Sequence, residues 1–542
     1  MQSSSPLPAD SGAVDVAPPG GLPPWGEADL PEPQPLRWRN WLSFLGPGLV
    51  MMGIQIGGGE WLIGPLITAK YGGGLMWIAT VAIVLQIFYN MECGRYALYT
   101  GEPMMTGFMR TRPGPRFWVG IILLLSLSSL IPALSTNAAV VIASLILDRP
   151  PGAEDQWLVM MLAFACLLLV AAPILIGGKV YNMLQVVMTT KVFVVLSFCL
   201  AMGLLFVRPE HWANVMSGFL KFGHVPVADS EGKETVVNVF GFLWREGHLP
   251  TIVLANIAVI GAFAGYAGGG GLANSTYSNY VRDKGWGMGS RVGAIASAVG
   301  GRNITLSHVG KVFPLTKENL SRWSQWWRYI QMDQILVWGP GCFMGMALPA
   351  LLSLQFAGNS ELYSNPKKQA LAQAIITADG IRHAPEFGPV AAKVLWVITL
   401  LVGLMVLLPS QMSIVEDVSR RWTDIIWTAN RRVRETMHGG QAKYIYYSIL
   451  FTYVVWTFIV AALFAWQGTP KLMVEVIANL NNLAIGVTSF HVLWVNRTLL
   501  PGPLRPRWYQ QTGVALCGIF YVSLFLLVLV CKLGPEVQRW FR

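Results

Sequence analysis

The sequence predicts an all-α membrane protein of about eleven transmembrane helices, built as an inverted 5+5 repeat in which helices 1 and 6 are broken. Three observations predict it. Only 12% of the 542 residues are charged and 54% are hydrophobic, whereas soluble domains carry about a quarter charged residues. Eleven apolar stretches are long enough to cross a hydrocarbon core of roughly 30 Å, which takes about 20 residues. Two glycine clusters, Gly57-Gly58-Gly59 and Gly268-Gly269-Gly270-Gly271, interrupt the first and sixth stretches. Hydrocarbon offers no partner to a freed backbone group, so a break at that depth must be buried in protein or line a polar cavity. Paired breaks in corresponding halves are the sequence mark of a secondary transporter.

Residues 1–36 hold nine prolines and no Lys or Arg, with neither a basic nor an apolar run of the signal-peptide kind. They read as a disordered, partly polyproline tail. Arg37-Trp38-Arg39 marks the approach to the membrane, where Trp and Arg suit the interface. The spans then fall near 44–69, 75–98, 117–147, 157–177, 180–207, 249–281, 328–356, 390–415, 444–466, 472–496 and 511–532. The fifth is weakened by Lys191 and the sixth by its break. The first five-helix repeat covers 37–207 and the second 249–500. Residues 208–248 form an extracytoplasmic loop, and 501–542 hold an additional helix. Five spans per repeat reverse the second repeat relative to the first.

The formal net charge of +11 does not mark a nucleic-acid partner. With the N-terminus in the cytoplasm, most of the 39 Lys and Arg fall on cytoplasmic segments, including Arg110, Arg112, Arg282, Arg291, Arg420, Arg421 and Arg432. The loop 208–248 has four basic and five acidic residues. That asymmetry is the positive-inside bias of a lipid-embedded chain, and it suits a multi-pass protein of a cell (inner) membrane. In the long loop 282–327, Trp323, Trp326 and Trp327 share a helical face and suggest either an interfacial amphipathic helix or packing against the bundle. The six cysteines form no CxxC, so neither a zinc site nor a disulfide framework is readable.

The chemistry concentrates at the breaks. In the first, unwinding at Gly57, Gly58 and Gly59 frees carbonyls for a cation and amides for an anion. Glu60 is the one acidic residue of that span. It can ligate a metal cation, carry a coupling proton, or cap the following half-helix. Gln55 is a further polar candidate. In the second break, Tyr266 and Asn274 are the natural side-chain contacts, with Gly268, Gly269 and Gly270 offering backbone. Gln411 in span 8 and Asn482 in span 10 are candidates to line the same cavity. Asp333 in span 7 is either a proton or ion site or an interfacial charge paired with Arg328. His491 is expected to be a packing histidine.

Several of these residues form a wider pattern. Gly46-Pro47-Gly48 before a broken apolar helix, Gly72, Trp77, Leu85-Gln86, Arg95, Thr100-Gly101, Asp333 and Ser410-Gln411 resemble the Nramp-type divalent-metal transporters. The resemblance extends over about residues 40–500 and implies the inverted-repeat fold of the bacterial leucine transporter. It also implies a metal cargo. The chain departs from that family at the metal site. The family's Asp-Pro-Gly-Asn stands here as Gly57-Gly58-Gly59-Glu60, so the metal-binding Asp is Gly57 and the Asn is Glu60. The family's methionine thioether is absent from the second break. A thioether helps select soft transition metals, so selection by that means is not expected.

The expected function is therefore ion-gradient-driven uptake of a metal cation, with H+ or Na+ as coupling ion. The alternatives are a small organic solute, such as a carboxylate or amino acid cradled by the half-helix termini, or a non-transporting scaffold. No enzyme motif of the HExxH, Walker A or GxSxG kind is present, and no cofactor is expected.

Overall fold

The computed structural model describes residues 21–35, 46–175, 179–228, 234–253, 257–298, 304–467 and 470–540. The expected approach segment 37–39 and most of the expected tail lie outside them. Among the described residues ten segments are long and apolar enough to cross a membrane. The first, Pro47–Thr100, contains spans 1 and 2, which are separated at Gly72–Leu75. The apolar helix Pro115–Leu125 runs up to Leu127–Leu147 and completes span 3. Eleven crossings result.

Each repeat opens with a helix in two pieces. Span 1 runs helical over Pro47–Gln55, turns at Ile56 and Gly57, and resumes through a π-helical turn, Gly59–Ile63, into Gly64–Tyr71. The break is narrower than the three glycines suggest, because Gly58 and Gly59 are already helical. Span 6 runs over Ile257–Tyr266, unwinds at 267–270, makes a single 3-10 turn at Gly271–Asn274, and resumes as Tyr277–Lys284. Gly268 at φ +86° and Gly271 at φ +61° hold left-handed backbone that a side chain would strain. The first half of span 1 packs on span 5 (Val180–Phe206), and the first half of span 6 packs on span 10 (Pro470–Leu499). Span 8 (Pro389–Ala429) packs on the second part of span 3, Ala133–Leu147.

Two features correct the reading of the loops. Residues 21–35 are ordered rather than disordered: Gly26–Glu27 pairs in parallel with Lys311–Val312, and Leu22 and Leu30 are buried. This strap also bonds through Trp25 Nε1 to Glu102 Oε2 (3.0 Å) and accepts at the Pro31 carbonyl from Trp326 Nε1 (2.8 Å). The tryptophan-rich helix Lys317–Met332 therefore packs under the strap and continues into span 7 through a π-helical turn at Asp333–Trp338. Arg95 lies over the ring of Trp327 at 3.8 Å. The opposite face carries an antiparallel hairpin, His224–Ala228 with Glu234–Asn238. The hairpin is tied to the end of span 1 by Lys70–Glu234 at 2.9 Å.

Glu102 anchors the strap face. It accepts from Arg110, Trp25, Tyr96 and the Gly310 amide. Burial alone would raise its carboxyl. The Arg110 charge and the hydrogen bonds from Arg110, Trp25 and Gly310 outweigh burial and hold it below the usual range. A depressed native value contributes stability that is present above the unfolded value and lost as pH falls through the native one. Amide protection of residues 21–35 should therefore weaken progressively as pH falls from the free-carboxyl range through the depressed native value. Protection factors from hydrogen exchange followed from pH 7 into the acid range check it, and Glu102→Gln should show the same loss already at neutral pH.

Candidate functional site

The two breaks meet backbone to backbone. A Cβ on Gly59 would stand 2.5 Å from Tyr266 Cβ and 2.6 Å from the Tyr266 carbonyl oxygen. Glycine at 59 is what lets the restart of span 1 touch the end of the first half of span 6. Beside this contact lies a cavity of about 90 Å³, lined by Gln55, Gly58, Tyr266, Gly268, Gly269 and Gly270. Met51, Ser410, Ser413, Asp417 and Asn481 complete much of its wall.

Glu60 is fully buried. Its Oε2 accepts from the Gly57 amide at 3.1 Å, the backward reach of an acid in the first turn of a helix. Its Oε1 has no partner. Gln55 Oε1 and Asn274 Oδ1 are likewise buried without partners. Both crowd one face of Gly269, where a Cβ would meet Asn274 Oδ1 at 2.3 Å and Gln55 Oε1 at 2.4 Å. Buried polar atoms are nearly always paired, so two unpaired acceptors at one place mark a position for a donor, a water or an ion.

A polar relay that sequence reasoning missed holds the second break open. Gln86 of span 2 donates to the Ala267 carbonyl (2.8 Å) and accepts from the Gly269 amide (2.6 Å) and Asn274 Nδ2 (2.9 Å). Asn274 also donates to Asn90 Oδ1 (3.0 Å), and Asn90 donates to Gln334 Oε1 (3.0 Å). Gln334 and Tyr277 both donate to Asp333 Oδ2, at 3.3 and 2.7 Å. Asp333 is thus tied into the site's outer ring, close under Gly48, and makes no ion pair with Arg328 among the described residues. Gln86 and Asn90, a helical turn apart in span 2, were the available signal together with Asn274 of span 6.

Two expected cavity residues point elsewhere. Gln411 accepts from the Ser135 amide at 3.2 Å. Asn482 donates to the Gly261 carbonyl at 2.9 Å, and its neighbour Asn481 reaches the cavity. His491 packs against Phe108 and Trp118 as expected. Among the described residues no three His, Cys, Asp or Glu gather as a metal cluster, and all six cysteines are free.

Toward the strap face the second half of span 6 is locked to span 8 by buried ion pairs. Arg282 bonds Asp424 (2.6 Å) and Asp283 (2.7 Å), Arg420 bonds Asp283 and Glu416, and Arg421 bonds Asp417. Asn279 donates to Asp424 at 2.6 Å and Thr276 to Asp417. Arg282, Arg420 and Arg421 therefore are not loop charges. Span 8 extends 41 residues and carries two of them inside the protein.

No family model matches the chain, and no curated protein does. Solved structures do. A histidine-to-alanine mutant of the Eremococcus coleocola manganese transporter superposes with a TM-score of 0.60 at 13% identity, covering 95% of this chain and 91% of that one. The same transporter in complex with an aromatic bis-isothiourea substituted compound gives 0.57 at 12%, covering 93% and 88%. At such identity the likeness speaks for architecture. The chain has the fold of the Nramp-type transporters, the inverted five-helix repeat that the sequence resemblance implies.

Proposed function

We propose that this protein is a secondary transporter that takes up a divalent metal cation through the cavity between its two broken helices, driven by an H+ or Na+ gradient. One observation carries the reading. Gln55 Oε1 and Asn274 Oδ1, buried and unpaired, converge from spans 1 and 6 on Gly269, and Glu60, whose Oε1 is also buried and unpaired, belongs to the same break of span 1. A set of carboxylate, amide and carbonyl oxygens suits a hard cation such as Mg2+ or Mn2+. Cavity size favours an ion over an organic solute: about 90 Å³ is less than the roughly 150 Å³ that admits benzene. The solved manganese transporter of the same fold agrees with a metal cargo. The N-terminus is placed in the cytoplasm of a cell (inner) membrane, the orientation that puts the basic loops inside.

Glu60 is assigned as the charged ligand, with Asp333 on the proton or ion path and Gln55, Gly57, Gly58, Gly59, Tyr266, Gly268, Gly269, Gly270 and Asn274 as the surrounding site. Proteoliposomes with an imposed inward proton gradient should take up Mn2+, and Glu60→Gln should abolish that uptake. Excess Mg2+ should compete, and the softer Cd2+ should compete less well, because no thioether stands in the second break. Uptake unchanged in Glu60→Gln removes Glu60 from the ligand set. A folded wild type that moves no divalent cation ends the metal reading.

A further inference from the structure

Lys191 is a fully buried lysine in the middle of span 5. Its Nζ donates to Ser410 Oγ of span 8. Ser410 Oγ in turn lies 3.2 Å from the Ile54 carbonyl oxygen and 3.4 Å from that of Ile56, the two carbonyls that flank the turn of span 1. A hydroxyl has one proton, so it serves one of these carbonyls at a time. Among the described residues Lys191 makes no ion pair within 4 Å; the carboxylate that interacts with its charge is Glu60. Span 5 is held in place for this contact, because a Cβ on Gly53 would meet Met188 Cβ at 2.6 Å, one turn before Lys191.

An isolated buried ammonium is expensive unless something compensates it. The compensation here is the set that would hold a small monovalent cation: a serine hydroxyl, carbonyls freed by a helix break, and a nearby carboxylate. We propose that the Lys191 ammonium is a tethered replacement for a free monovalent cation between spans 1, 5 and 8. It would hold the first break in shape without Na+. This site adjoins the cavity at Gly269, whose wall includes Ser410, and its test reads stability rather than uptake. If the protein transports, no Na+ enters between these three spans.

The test uses thermal unfolding of the purified, detergent-solubilised full chain at constant ionic strength, with choline chloride exchanged for NaCl, KCl or LiCl. The wild type should show the same midpoint in all four salts. Lys191→Ala should fall in choline and regain midpoint saturably with one of the small alkali cations, since a ligand of the native state stabilises it by mass action. Lys191→Met, which fills the space without charge, should fall equally and show no rescue. Two results overturn the proposal: a saturable Na+-specific rise in the wild type, or a Lys191→Ala protein that no alkali cation stabilises or renders recoverable. Because the readout is stability, these outcomes are independent of whether metal uptake is observed.

Discussion

Uptake by Gly269→Val should fall at least tenfold while the protein stays folded. The side chain would enter the one face of Gly269 where Gln55 Oε1 and Asn274 Oδ1 already stand inside 2.5 Å of a Cβ. Both amides must swing away. Their neighbours Gln86 and Asn90 are fully buried and already committed to the second break. Overpacking of this kind costs about 1–3 kcal/mol, and a loss of about 1.4 kcal/mol in cargo binding is a factor of ten. Folding should survive, because Gly269 lines a cavity rather than the closed contact made at Gly59. Gly440→Ala is the control: nothing lies within 4 Å of its added Cβ. Initial rates of Mn2+ uptake at matched reconstitution decide the matter. Full activity in Gly269→Val would place the cargo elsewhere than between the breaks.

Composition and glycine clusters made the architecture legible because both rest on the physics of lipid. Apolar length sets the number of spans, and backbone that cannot be solvated sets where a break is tolerated. What the sequence left obscure are contacts between distant segments. Lys191 weakened a span on hydropathy, although a charge at that depth is by itself a mark of function. Its partner Ser410 lies 219 positions away. Gln86 contributed to the family resemblance, yet nothing in its own span shows that it clamps Gly269 of span 6. Arg420 and Arg421 follow the apolar part of span 8 and so read as loop. Only the fold brings Asp283 of span 6 against Arg420 and encloses both. Polar satisfaction in the membrane is a tertiary property, and one-dimensional patterns do not record it.

Arg420→Met should destabilise the protein by about 3–5 kcal/mol, the usual cost of removing one partner of a buried pair. Arg420 is fully buried and serves Asp283 of span 6 and Glu416 of its own helix. Methionine keeps most of the volume, so the loss comes from leaving Glu416 uncompensated rather than from a cavity. Asp283 retains Arg282, whose other partner is Asp424. The double variant Glu416→Gln, Arg420→Met should therefore recover part of the loss, since it removes charge of both signs together. Denaturant midpoints of the four proteins of this cycle measure the coupling. Arg431→Met, which breaks the exposed Arg431–Glu435 pair, should leave the midpoint unmoved. If Arg420→Met is as stable as wild type, the enclosed charges are solvated in solution, and the strap face between spans 6 and 8 is open. If the coupling is large, these pairs are the lock that any passage from the cavity to the strap face must break. The cavity wall already ends on Asp417 of that set.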